Sequence, residues 1–80
     1  MTYSDIIIFR INNLTKERNL NTNSLANLCG IAQSTLDNIM RGKTKNPKLI
    51  TLHRLSTGLG ITLSEFFDFP EMNETIFDDE

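Results

Sequence analysis

The sequence predicts an all-α domain, and three observations carry that expectation. Apolar residues recur at helical spacing in successive stretches, helix-capping signals stand in front of those stretches, and the turn glycines Gly30 and Gly60 follow two of them. With 80 residues the chain has material for one modest core and none for a second. An apolar share of 39% beside a charged share of 22% is an ordinary globular balance, so the body is expected to fold.

The first helix opens at Thr2 or Ser4, either of which can cap it, with Asp5 placed well against the positive helix end. Ile7, Ile11 and Leu14 give its core face, and the helix should stop near Arg18 and Asn19. Ile6, Ile8 and Phe9 widen the apolar stripe, which then meets either the last helix or another subunit. Leu20 anchors the link, and Asn21 caps a second helix from Thr22 in which Leu25, Ala26, Leu28 and Cys29 form one small apolar face. Gly30 supplies the left-handed residue of a sharp turn, and Ile31 plugs the corner.

A third helix follows, with Leu36, Ile39 and Met40 inward and the uncharged hydrogen-bonding residues Gln33, Ser34, Thr35 and Asn38 outward. Behind it lies a basic loop of Arg41, Lys43, Lys45 and Lys48 around Gly42 and Thr44. Asn46 followed by Pro47 reads as an N-cap with proline at the first helical position, so the fourth helix is expected from there. Its inward residues are Leu49, Leu52, Leu55 and Leu59, widened by Ile50, and Gly60 ends it. Thr62 with Glu65 forms a capping box for a short fifth helix carrying Leu63, Phe66 and Phe67. Phe69 and Pro70 should end regular structure, giving a domain over residues 1–69 and an acidic tail over 70–80. That tail either frays or docks on a protein partner or on its own basic loop, with Met72, Ile76 and Phe77 as its apolar anchors.

Charge sharpens the functional reading. The net charge of −2 argues weakly against nucleic acid, but all eight Lys and Arg lie within residues 1–67 against only Asp5, Glu17, Asp37 and Glu65. Binding depends on the local field at the contacting surface, and the body alone is basic. Amides and hydroxyls on the first turns of an exposed helix match the donor and acceptor pattern of base edges in a major groove. The basic loop behind them would lie over phosphates, and the amides opening the second helix make Thr22 and Asn23 further phosphate contacts.

The stretch LANLCGIAQSTLDNIMRGKTKNP resembles the DNA-binding core of the lambda-repressor-like, Xre-type (Cro/C1-type) regulators, and the resemblance covers roughly residues 5 to 67. The Leu-Ala pair, the turn glycine, the amide and hydroxyl run, and the glycine before a basic loop and a proline all occur. The resemblance implies a compact five-helix domain with the helix-turn-helix as helices 2 and 3. It also implies base reading by Gln33, Ser34 and Asn38, with Thr35 close to the DNA backbone. It further places dimer contacts on helix 5, where Leu63, Phe66, Phe67 and Phe69 offer apolar surface. One departure is Met40, where many relatives carry a glutamate paired with a helix 1 arginine; the counterpart here is Thr15. Replacing a buried ion pair by apolar packing is often neutral or stabilising, so the fold expectation stands.

The expectation is therefore a transcriptional regulator, in its simplest form a repressor, that binds double-stranded DNA as a homodimer and reads an inverted-repeat operator. The alternative is the same fold used as a protein-binding module, for instance an antitoxin-like partner. No catalytic cluster or phosphate-cradling glycine loop stands out, so no enzyme and no cofactor are expected. His53 has no second His or Cys with which to share a metal, and the single Cys29 reads as a small core residue. The absence of a long apolar run or a leader pattern at the N-terminus places the expected protein in the cytoplasm, away from membranes.

Overall fold

A computed structural model describes residues 2–74. Its helices are α1 (Tyr3–Glu17), α2 (Thr22–Cys29), α3 (Gln33–Met40), α4 (Leu49–Gly58), α5 (Leu63–Phe66) and α6 (Pro70–Glu74). No strand occurs among the described residues.

Reciprocal caps set two of the starts. Asp5 N donates to Thr2 Oγ1 at 3.1 Å while Thr2 N donates to Asp5 Oδ2 at 3.2 Å, so Thr2 caps α1 and Ser4 lies buried instead. The same pair of bonds joins Glu65 N to Thr62 Oγ1 at 3.0 Å and Thr62 N to Glu65 Oε1 at 2.9 Å at the head of α5. Hydrogen bonds to the ionised carboxylates hold the Asp5 and Glu65 carboxyls below their usual range, because backbone donors favour the charged form. A carboxyl with a lowered folded-state value stabilises the fold above its unfolded value, and the contribution is lost as pH falls through the folded one. Urea midpoints should therefore drop between about pH 5 and pH 2 by more in the native sequence than in an Asp5→Asn/Glu65→Gln variant. Equal acid losses in the two proteins would remove these caps as the cause.

The ends of α1 and α2 close in the same way. At α2, Gly30 takes φ 67°, Gly30 N donates to Asn27 O at 3.4 Å and Ile31 N to Ala26 O at 3.1 Å, a Schellman closure that turns the chain sharply into α3. The closure of α1 is of the same kind, with Asn19 at φ 54° and Leu20 N donating to Thr15 O at 3.1 Å. Arg18 adds a second lock between helices, its Nε donating to Leu59 O at 3.0 Å and its Nη1 to Leu14 O at 3.0 Å.

The core gathers Ile7, Ile11 and Leu14 from α1, Leu25, Ala26 and Cys29 from α2, Leu36 and Ile39 from α3, Leu52 and Leu55 from α4 with Leu59 just beyond it, and Phe66 from α5. Met40 packs against this cluster, while Thr15 donates its hydroxyl to the Ile11 carbonyl. No buried side-chain nitrogen or oxygen among the described residues lacks a partner.

Four expectations are corrected. The fourth helix begins at Leu49 with Lys48 as its N-cap, so Asn46 and Pro47 belong to the preceding loop; Lys48 is extended at φ −65°, ψ 144°. Within α4 the buried positions are Leu52, Leu55 and Ser56, while Leu49 and Ile50 in the opening turn are 63% and 56% exposed. Leu28 is also outward, at 54% exposure, because Leu25, Ala26 and Cys29 already fill the narrow buried stripe of α2. Pro70 does not end regular structure but opens α6, as its fixed φ and missing N–H permit at a first helical turn. Asn73 Nδ2 fastens α6 to the end of α5 by donating to Phe67 O at 2.8 Å and Phe69 O at 3.0 Å. The tail anchors Ile76 and Phe77 lie outside the described residues.

Candidate nucleic-acid interface

Leu36 is fully buried and Ile39 is 2% exposed, which fixes how α3 is rolled. At roughly 100° per residue, Ser34, Asn38 and Arg41 then lie opposite that buried edge, with Gln33 on one flank and Thr35 on the other. Gln33, Ser34, Thr35 and Asn38 are all exposed, as base reading requires. Gln33 is already engaged along the helix, its Nε2 donating to Asp37 Oδ1 at 3.1 Å.

The basic loop is tied to the same helix. Gly42, at φ 76°, takes the left-handed position after α3, and Gly42 N donates to Ile39 O at 3.0 Å. The Asn38 carbonyl accepts from both Lys43 N at 2.9 Å and Thr44 N at 3.2 Å. The backbone of the central outward residue of α3 therefore sets where the loop starts. Arg41, Lys43, Lys45 and Lys48 are exposed and Thr44 is half-buried. At the head of α2, Asn21 Oδ1 accepts from Ser24 N at 2.8 Å and from Ser24 Oγ at 3.0 Å, so the Thr22 and Asn23 amides remain available for an anion.

A groove of about 560 Å³ runs between α3, the loop and α4, lined among others by Thr35, Asn38, Thr44, Lys48, Thr51 and Arg54. Thr51 and Arg54 were not expected here. The signal was present in the spacing Lys48, Thr51, Arg54, three apart each time on one edge of α4. Arg10 and Arg18, by contrast, are engaged internally and contribute nothing to this surface. Arg10 donates from Nε to Phe66 O at 2.8 Å and from Nη2 to Glu65 O at 2.7 Å, with its guanidinium 4.7 Å over the Phe69 ring.

The expected dimer residues divide. Phe66 is fully buried in the core, and Phe69 is 7% exposed beneath Arg10 with the Phe9 ring 6.5 Å away, so neither can face another subunit. Leu63 and Phe67 are half-buried and keep surface on offer. His53 is exposed, and no group of metal-ligating side chains occurs among the described residues. No helix among them is long and apolar enough to cross a membrane.

Two short helices joined by a left-handed glycine, the second carrying a polar outward face and a basic loop, define a helix-turn-helix DNA-binding domain. The Cro/C1-type HTH DNA-binding domain matches residues 10–71, and the chain belongs to that family. Its fold is shared by a solved structure, "Crystal structure of the prophage Lp1 protein 11", at 33% identity and a TM-score of 0.82, over 94% of this chain and 99% of that one. No curated protein sequence matches the chain significantly.

Proposed function

We propose that this DNA-binding domain is a sequence-specific transcriptional repressor that lays α3 in the major groove and holds it there by the loop from Arg41 to Lys48. The observation that carries the reading is the join at Asn38, where the outward face of α3 and the phosphate-seeking loop share one backbone anchor. Ser34, Asn38, Gln33 and Thr35 read base edges, while Lys43, Thr44, Lys45, Lys48 and Arg41 contact phosphates with Thr22 and Asn23; Thr51 and Arg54 extend the loop's surface along the groove. Occupying an operator and excluding polymerase is enough for repression.

The working form on DNA is a homodimer, since one recognition helix reads too few base pairs to single out a site among about a million or more competitors. Two-fold symmetry then spaces the half-sites about 34 Å apart on one face of an inverted repeat. Leu63 and Phe67 remain the proposed dimer contacts on α5. Association carries a cost of roughly 4 to 15 kcal/mol, so a monomer in solution and a dimer on DNA are compatible.

Salt-dependent gel shifts on genomic fragments, followed by footprinting and mass measurement of the complex, test the reading. A single protected half-site with one protein at saturation would sink the dimer. Replacing Lys43 and Lys45 with Ala should weaken binding to all sequences alike and lower the slope of log K against log salt by about 0.9 per lost contact. An unchanged slope would move the phosphate footprint elsewhere.

A second reading, a protein-binding module such as an antitoxin-like partner, draws on the exposed Leu28, Leu49 and Ile50. Leu28 and Ile50 line a cleft of about 480 Å³ with His53 and Arg54. In that reading binding to DNA would be absent even at low salt.

A further inference from the structure

We propose that Asp37 is a positioning residue that locks the Gln33 carboxamide in one orientation and so makes α3 select adenine at one base pair of each half-site. The inference rests on the reading of α3 as the base-contacting helix. Gln33 opens α3 and Asp37 stands one turn further on the same flank, with Gln33 Nε2 3.1 Å from Asp37 Oδ1.

The chemistry of the pair removes the usual ambiguity of an amide. An ionised carboxylate only accepts hydrogen bonds, so the group that faces Asp37 must be the nitrogen of the amide and not its oxygen. Turning the amide over would set Oε1 against Oδ1, acceptor against acceptor, and lose the bond. Held in the observed sense, the outer edge of Gln33 presents Oε1 as an acceptor beside the second N–H as a donor.

That ordered pair fits one purine in the major groove. Adenine offers its N6 amino group as donor and N7 as acceptor, matching Oε1 and the free N–H in turn. Guanine offers two acceptors, O6 and N7, and places O6 against Oε1. Turning the amide over only moves Oε1 from O6 onto N7. A glutamine therefore accommodates guanine only by turning and swinging outward to donate Nε2 to O6 alone, a movement open to an unconstrained side chain and opposed by the carboxylate. A negative charge on a DNA-facing helix also lowers affinity for every sequence, so Asp37 exchanges general attraction for discrimination.

The test is selection from a randomised operator library with the full chain, comparing the native sequence with Gln33→Ala, Asp37→Asn, Asp37→Ala and Asp37→Glu. Asparagine accepts or donates toward either end of Gln33, and alanine leaves it free. Both variants should lose about tenfold in adenine-over-guanine preference at one position per half-site while other positions keep theirs. Asp37→Glu keeps an acceptor-only group on the same edge and should retain the preference. In the unliganded protein, nitrogen-15 relaxation should show the Gln33 side-chain amide ordered in the native sequence and more mobile in Asp37→Ala. A uniform gain in affinity for all DNA with an unchanged base profile would assign Asp37 a purely electrostatic role and overturn the proposal. If Gln33→Ala flattens one position and Asp37→Asn leaves it intact, the positioning role fails while base reading by Gln33 stands. If Gln33→Ala also leaves the profile intact, the base-reading assignment of Gln33 itself is what fails, and the proposal falls with it.

Discussion

Gly58→Ala is expected to cost the domain about 3 kcal/mol and, with it, DNA binding at physiological temperature. A methyl group built at Gly58 would lie 2.4 Å from Cys29 Sγ, 2.8 Å from Cys29 Cα and 3.0 Å from Cys29 Cβ. Two of those atoms belong to a side chain buried against α4, and the third is backbone, so no rotamer change relieves the contact. Relief requires α2 and α4 to move apart, and these are the helices that hold the turn at Gly30 and the α4 edge of the groove. Urea unfolding beside a gel shift measures both consequences. Removing the sulfur in a Gly58→Ala/Cys29→Ala double variant should recover part of the loss, because the approach to Cα persists. Stability equal to the native sequence in Gly58→Ala would show that the helices separate freely.

Phe66→Ala is expected to cost about 3 to 5 kcal/mol, whereas Phe67→Ala should cost markedly less. Phe66 is fully buried and meets Phe67 edge to face, with ring centroids 5.3 Å apart and planes at 84°, while Phe67 keeps part of its surface in water. Small domains have total stabilities of about 5 to 15 kcal/mol, so the first loss is a large share of the whole. The contrast separates folding from association. Phe66→Ala should lose DNA binding together with its thermal transition. Phe67→Ala should keep the transition, and a drop in cooperativity on a two-half-site operator would then place Phe67 at the dimer contact. Equal thermal losses in both would contradict the burial that distinguishes them.

Much of this architecture was legible in the sequence because it is local. The Thr62–Glu65 pair, the Asn21 cap and the left-handed Gly30 are each decided within a few residues and stand as expected, whereas spacing leaves Thr2 and Ser4 both open as the cap of α1 and the bond from Asp5 N decides for Thr2. Where tertiary context decides, periodicity ran short. Leu28 and Leu49 fit an apolar stripe by spacing, but one small core fills before it reaches them. Phe66 and Phe69 read as surplus surface until Arg10 and the first helix close over them. Pro70 is the instructive case, since the same residue that breaks a helix interior also suits a helix start, and only Asn73 bonding back to Phe67 and Phe69 shows which applies. At the site, the outward residues of α3 follow from spacing alone. The Gln33–Asp37 bond and the place of Arg54 in the groove depend on side-chain direction, which a pattern of residue types does not carry.

The contact between Cys29 and Gly58 also gives the domain a chemical clock. Cys29 is the only thiol in the chain, its Sγ lies 3.7 Å from the Leu55 carbonyl, and burial raises its pKa, which favours the protonated thiol. A protonated thiol with only 8% of its residue exposed is a poor nucleophile, so an alkylating reagent reacts chiefly in the interval when α2 has lifted from α4. The rate of labelling thus counts openings of the scaffold beneath the helix-turn-helix, and a bound operator that holds α2 and α3 in register should slow it.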